Sequence, residues 1–128
     1  NKIFSDPDAV VVILNLTIVE VILTFYRLYR TSEIKKSELN LLIHSFYKDI
    51  KEHIEIYTAT TEHTFIAEEI IQSSIHLKAL NKRPGAIDII QLCAARDFKH
   101  QNLTFVSSDL DLNQLAKSHK LTVINPEE

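Results

Sequence analysis

Methionine and tryptophan are absent, and 128 residues contain one cysteine, one glycine and three prolines. A single cysteine, Cys93, excludes an internal disulfide and a cysteine-based zinc site. A single glycine, Gly85, excludes the Walker loop and the G-x-G-x-x-G fingerprint, which need several. Position 1 is Asn, so the chain is expected to be processed at its start or to begin inside a longer protein. Neither sign of charge dominates: 14 basic residues stand against 17 acidic ones, a net −3, which argues against a histone-like polycation and leaves a local basic groove open. The longest apolar stretch, Ala9 to Tyr26, is interrupted by Asn15 and Glu20 and preceded by Asp6 and Asp8 instead of a basic cluster. A carboxylate near a bilayer centre is expensive, so no signal peptide and no membrane anchor are expected, and the chain reads as cytoplasmic.

What is present is an ordinary globular composition, 45% hydrophobic and 24% charged. The length suits one domain, 1–128, with a core of its own. Ala9-Val-Val-Val-Ile-Leu14 is a β-branched run apolar on both faces, as a central parallel strand would be. Asn15 breaks it and can cap a helix from about Leu16 to Arg30. Two faces of that helix are apolar, Leu16, Val19, Leu23 and Tyr26 on one and Ile18, Ile22, Phe25 and Tyr29 on the other. Such a helix is expected to be deeply buried or to lie at a subunit contact.

After a polar hinge, Thr31 to Lys36, Leu39, Leu42, Phe46 and Ile50 mark a second helix running to about Lys51. Ile54 to Thr58 alternates like a strand. Thr61 to Leu80 is helical in pattern, Asn81-Lys-Arg-Pro-Gly85 is the clearest loop, and Ala86 to Lys99 is a strongly apolar helix. A strand at Leu103 to Ser107, a helix at Leu110 to His119 and a strand at Leu121 to Ile124 close the chain. Strands alternating with helices predict βα units in an α/β fold, a mostly parallel sheet with helices on both faces. Ligands of such sheets bind beyond the carboxyl ends of the strands.

Three carboxylates have apolar neighbours. Glu20 lies in the first turns of the helix after one strand, Asp88 in the first turn after the basic loop, and Asp109 directly after a strand. An unpaired carboxylate among apolar groups costs several kcal/mol or changes its pKa, so each is expected to have a cation, helix-end amides or a metal as its partner. Two assignments follow. In one, the three converge at the carboxyl edge of the sheet and hold a hard cation, Mg²⁺ or Mn²⁺, which activates water and clamps phosphodiester oxygens. In the other, Asp88 complements a helix dipole, Asp109 is an N-cap and Glu20 pairs with Arg27 or another cation.

Leu16-Thr-Ile-Val-Glu20-Val resembles the motif after the second strand of PIN domains, and Gly85-Ala-Ile-Asp88-Ile-Ile-Gln-Leu-Cys-Ala-Ala95 resembles their aspartate-bearing helix. Phe105-Val-Ser-Ser-Asp109 is similar to their strand-end Thr-Ser-Asp pattern, and Leu121-Thr-Val-Ile-Asn-Pro126 to their closing strand. The nearest likeness is to VapC-like toxins of toxin–antitoxin systems, in order and approximate spacing from about Ala9 to Pro126. The resemblance implies a Rossmann-like PIN fold, often dimeric, and a Mg²⁺- or Mn²⁺-dependent endoribonuclease cutting single-stranded RNA and restrained by an antitoxin-like protein. It gives Glu20, Asp88 and Asp109 the metal-site and catalytic roles, with Asp111 as a fourth candidate ligand. The alternative is a catalytically degenerate PIN-like module that dimerises or binds such a partner.

PIN domains open with a strand ending in aspartate and then a helix, whereas only eight residues here precede the strand matching their second. The first βα unit is therefore expected to be missing from this chain. Lys2-Ile-Phe-Ser-Asp6 resembles that strand, but Asp6 to Glu20 leaves no room for the helix, and the match is set aside. Lys82 and Arg83 are candidates for RNA phosphates or an exposed basic loop. Ser107 and Ser108 are candidates for a metal-bound water or phosphate, or plain turn hydroxyls. The six histidines show no ligand spacing and are assigned to surface or packing. Cys93 is assigned to the core.

Overall fold

The computed structural model describes residues 6–78 and 80–128. All but Asp6 of the strand-like Lys2–Asp6 stretch lies outside them. The chain forms two compact units, one running to Thr58 and one from Ala59 onward.

The first unit is β1 (Val11–Leu14), α1 (Asn15–Arg30), α2 (Lys36–Glu52) and β2 (Ile54–Tyr57). β1 and β2 are parallel, with Val11 opposite Ile54 and Leu14 opposite Tyr57. The two helices are the crossover that parallel pairing requires. The strand passes straight into the helix, and the Asn15 side chain, at the first helical position, accepts the Leu16 N–H at 3.0 Å. Leu14 and Leu39 are buried, and Phe25 of α1 meets Phe46 of α2 edge to face at 6.1 Å, the arrangement ring quadrupoles favour.

No residue of α1 is buried, which corrects the expectation of deep burial. Val19 is 55% and Leu23 64% exposed on one stripe, because Phe25 and its neighbours take the side toward α2.

The second unit is α3 (Thr61–His76), α4 (Ala86–Arg96), β3 (Thr104–Val106), α5 (Leu110–Ser118) and β4 (Thr122–Ile124). β3 and β4 are parallel with Phe105 opposite Val123, and α5 is their crossover. The core is the apolar face of α4, Ile89, Leu92 and Cys93, set against Ile70 of α3 and Leu112, Leu115 and Ala116 of α5. These positions recur at three and four residues, so each helix offers one continuous stripe. The protein is thus mixed α/β with short parallel strands in two small sheets.

α3 and α4 end about a turn inside the expected limits. α3 stops at His76, where Leu77 turns extended, and the Arg83 guanidinium takes the Ser74 carbonyl at 2.6 Å. A cation thereby joins the Leu77 N–H on a carbonyl of that end. α4 stops at Arg96, and the turns at Asp97, Phe98 and Lys99 continue as tighter bonds to the carbonyls three residues back. Among the described residues no helix is long and apolar enough to cross a membrane.

Candidate functional site

Asp109 follows β3 and begins α5. Its Oδ1 accepts the Leu112 N–H at 3.0 Å, and its own N–H donates to Ser107 Oγ at 3.0 Å. It is therefore an N-cap, one of the two assignments open to it, and its carboxylate also faces the positive end of the helix dipole. Among the described residues Oδ2 forms no hydrogen bond. Ser107 is a turn hydroxyl, and its carbonyl accepts Asn113 Nδ2–H at 2.8 Å. Ser108 is exposed.

Asp88 stands in the first turn of α4 and reaches back to the Gly85 N–H through Oδ2 at 3.3 Å, half of a capping box. Among the described residues its Oδ1 forms no hydrogen bond. Asp111 is more committed. Oδ1 accepts the Asn81 N–H at 3.0 Å and Oδ2 the Lys82 N–H at 2.9 Å. Its two oxygens hold the basic loop against the start of α5.

The loop Asn81–Gly85 thus has a carboxylate at each end, Asp111 on its first two amides and Asp88 on its last. The N-terminal turns of α4 and α5 flank one five-residue loop. Of the loop's cations, Arg83 is engaged with Ser74, and Lys82 is exposed. Glu20 belongs to the first unit, in the second turn of α1, half-buried, with its carbonyl accepting the Thr24 hydroxyl at 2.9 Å.

The donor chemistry of Asp88 and Asp109 suits a hard cation, since among the described residues each has one carboxylate oxygen without a hydrogen bond. The number of donors does not: among the described residues no three His, Cys, Asp or Glu side chains are gathered so as to hold a metal ion.

Two histidine arrangements escaped the sequence reading. His63, with its side chain 6% exposed, accepts the Thr60 N–H at Nδ1 (2.9 Å) and faces Asp97 Oδ2 from Nε2 at 2.7 Å. The amide at Nδ1 assigns the proton to Nε2. The ring therefore caps α3 and ties it to the end of α4. Thr60 Oγ1 also lies 3.2 Å from Nδ1, but the amide already holds that lone pair, so the ring is no base for the hydroxyl.

His119 Nε2 lies 2.8 Å from Ser73 Oγ, whose hydroxyl donates to the Ile70 carbonyl at 2.7 Å. Burial pushes the His119 imidazole below its ordinary value, Arg96 acts in the same direction, and Glu69 opposes both. Ser73 sits within a helix with its proton committed to a carbonyl, a packing bond and not a nucleophile. Burial also pushes the Cys93 thiol up, which keeps it protonated and inert.

The fold and this loop define a mixed α/β protein with carboxylates placed at helix N-termini. No family model, no curated protein and no solved structure matches the chain.

Proposed function

We propose that this chain is a PIN-like module of the VapC-like toxin ribonuclease type, acting on single-stranded RNA with Mg²⁺ or Mn²⁺. The observation that carries the reading is the placement of Asp88 in the first turn of α4 and of Asp109 at the N-cap of α5. They stand at two of the acid positions of the resemblance, and among the described residues each has one oxygen without a hydrogen bond. Glu20, the third acid of the resemblance, stands in α1 of the first unit. A bound Mg²⁺ or Mn²⁺ would acidify water and neutralise phosphodiester charge. Asp88 and Asp109 would supply hard oxygen donors, and the helix N-termini behind them would add positive potential. Asp111 would position the basic loop and not bind the ion.

The donor set of this chain is short for an ion that demands near-octahedral geometry. Weak metal binding and slow cleavage are therefore expected of these 128 residues. That shortage favours a second reading, a non-cutting module that dimerises or binds an antitoxin-like protein. The exposed Val19 and Leu23 of α1 support it.

Incubation with an unstructured RNA and Mn²⁺, for this chain and for Asp88→Asn, separates the two. Slow cleavage lost in Asp88→Asn supports the nuclease. No cleavage, together with a dimeric mass by light scattering, supports the module.

A further inference from the structure

A basic stretch of the first unit lies far in sequence from the loop at Asn81–Gly85. Arg27, Arg30, Lys35 and Lys36 fall within ten residues whose only carboxylate is Glu33, in a chain of net charge −3. Among the described residues none of the four cations forms an ion pair. Glu33 is turned to its own turn, its Oε2 accepting the Thr31 hydroxyl at 2.6 Å. Two tyrosines stand among these cations, Tyr26 48% and Tyr29 40% exposed. Residues 26, 29 and 30 are neighbours on one helical face. The Lys36 Nζ lies 5.3 Å from the centre of the Tyr29 ring, which brings the first turn of α2 onto the same surface.

This corner is built, not floppy. α1 ends in a Schellman motif: Glu33 N–H donates to the Leu28 carbonyl at 2.9 Å and Ser32 N–H to the Tyr29 carbonyl at 3.0 Å. Ser32 takes the left-handed conformation at φ 62°, unusual without glycine. The Thr31 N–H adds a bond to the Arg27 carbonyl at 2.9 Å. The Lys35 N–H opens α2 by donating to Glu38 Oε1 at 3.1 Å. The cations and rings are thus held on two helix ends fixed by their own hydrogen bonds, which lowers the ordering cost of binding.

We propose that the α1–α2 corner, Tyr26, Arg27, Tyr29, Arg30, Lys35 and Lys36, binds single-stranded RNA, with bases stacked on the tyrosines and phosphates on the cations. Unpaired cations call for a polyanion. Exposed flat rings beside them select one whose unstacked bases offer π-faces, over an acidic peptide or an anionic lipid surface. The proposal extends the reading above by naming a surface that holds the strand, and it is tested by binding, so its failure and that of cleavage are distinguishable.

The test is fluorescence anisotropy of a labelled unstructured 12-nucleotide RNA, without divalent metal, across a range of salt. Single-strand binding loses about 0.7 in log K per log salt for each phosphate contact. Arg30→Gln with Lys36→Gln should make the slope shallower by about 1.4, two contacts' worth. Tyr26→Ala should weaken binding by about 5- to 150-fold at an unchanged slope, the range of one stacked base, and Tyr26→Phe should restore it. Circular dichroism of each variant should stay that of the parent, since the side chains are exposed. Unaltered affinity and slope in these variants would overturn the proposal. So would equal binding of an oligoglutamate of the same length or of phosphatidylglycerol vesicles, or a tyrosine variant that loses only self-association.

Discussion

Removal of the Asp111 carboxylate separates a structural acid from a metal ligand. Asp111 accepts two backbone N–H groups, from Asn81 and Lys82, at 3.0 and 2.9 Å. A hydrogen bond to a charged group contributes about 1.5–3 kcal/mol when shielded. Here both amides are exposed and Asp111 is half-buried, so water replaces part of each bond. A total loss of about 1.5 kcal/mol in holding the loop is the discounted figure for Asp111→Ala. That raises the equilibrium for opening the loop about tenfold.

Lys82 provides the readout, because trypsin cuts after it only when the loop leaves α5. Limited trypsinolysis followed by mass spectrometry should therefore show cleavage after Lys82 about tenfold faster in Asp111→Ala, in the regime where closing outruns cutting. Asp111→Asn should also be faster, since an amide presents one acceptor where the carboxylate presents two. The reasoning fails if both variants are cut at the parental rate in metal-free buffer. A parental rate there, with Mn²⁺ protection lost in Asp111→Ala, would return Asp111 to the metal ligands.

Three further outcomes are expected. Asp109→Ala should lower stability by about 1 kcal/mol through loss of the bond to the Leu112 N–H, and Asp109→Ser should recover most of it, as read by thermal denaturation. Ser32→Gly should raise the stability of the first unit by about 0.5–1 kcal/mol in urea denaturation, because the left-handed φ of 62° penalises any Cβ. His119, held below its ordinary value of 6.5 chiefly by burial, should make stability fall as pH drops below about 6.5. The unfolded chain takes up the proton first, so the loss begins there and is complete once the folded ring is charged too. His119→Gln should flatten denaturation midpoints between pH 7 and 5.

The alternation of strands and helices was legible from residues alone, because apolar spacing is a local property. Val11–Leu14 reads as a strand and Leu110–Ser118 as a helix in any setting that buries one side of them. The placement of Asp88 in a first helical turn and of Asp109 between a strand and a helix was legible for the same reason, since caps lie within three residues of what they cap. Partners across long stretches of chain were not. Asp111 finds amides 30 and 29 residues away, His63 finds Asp97 34 away, and His119 finds Ser73 46 away. No spacing rule encodes such pairs. They arise when α3, α4 and α5 pack their apolar stripes together and their polar ends must be satisfied where they meet. The exposure of α1 was likewise decided by packing: its residues are apolar on two faces, but α2 covers one side, and Val19 and Leu23 remain on the other because Phe25 turns toward Phe46.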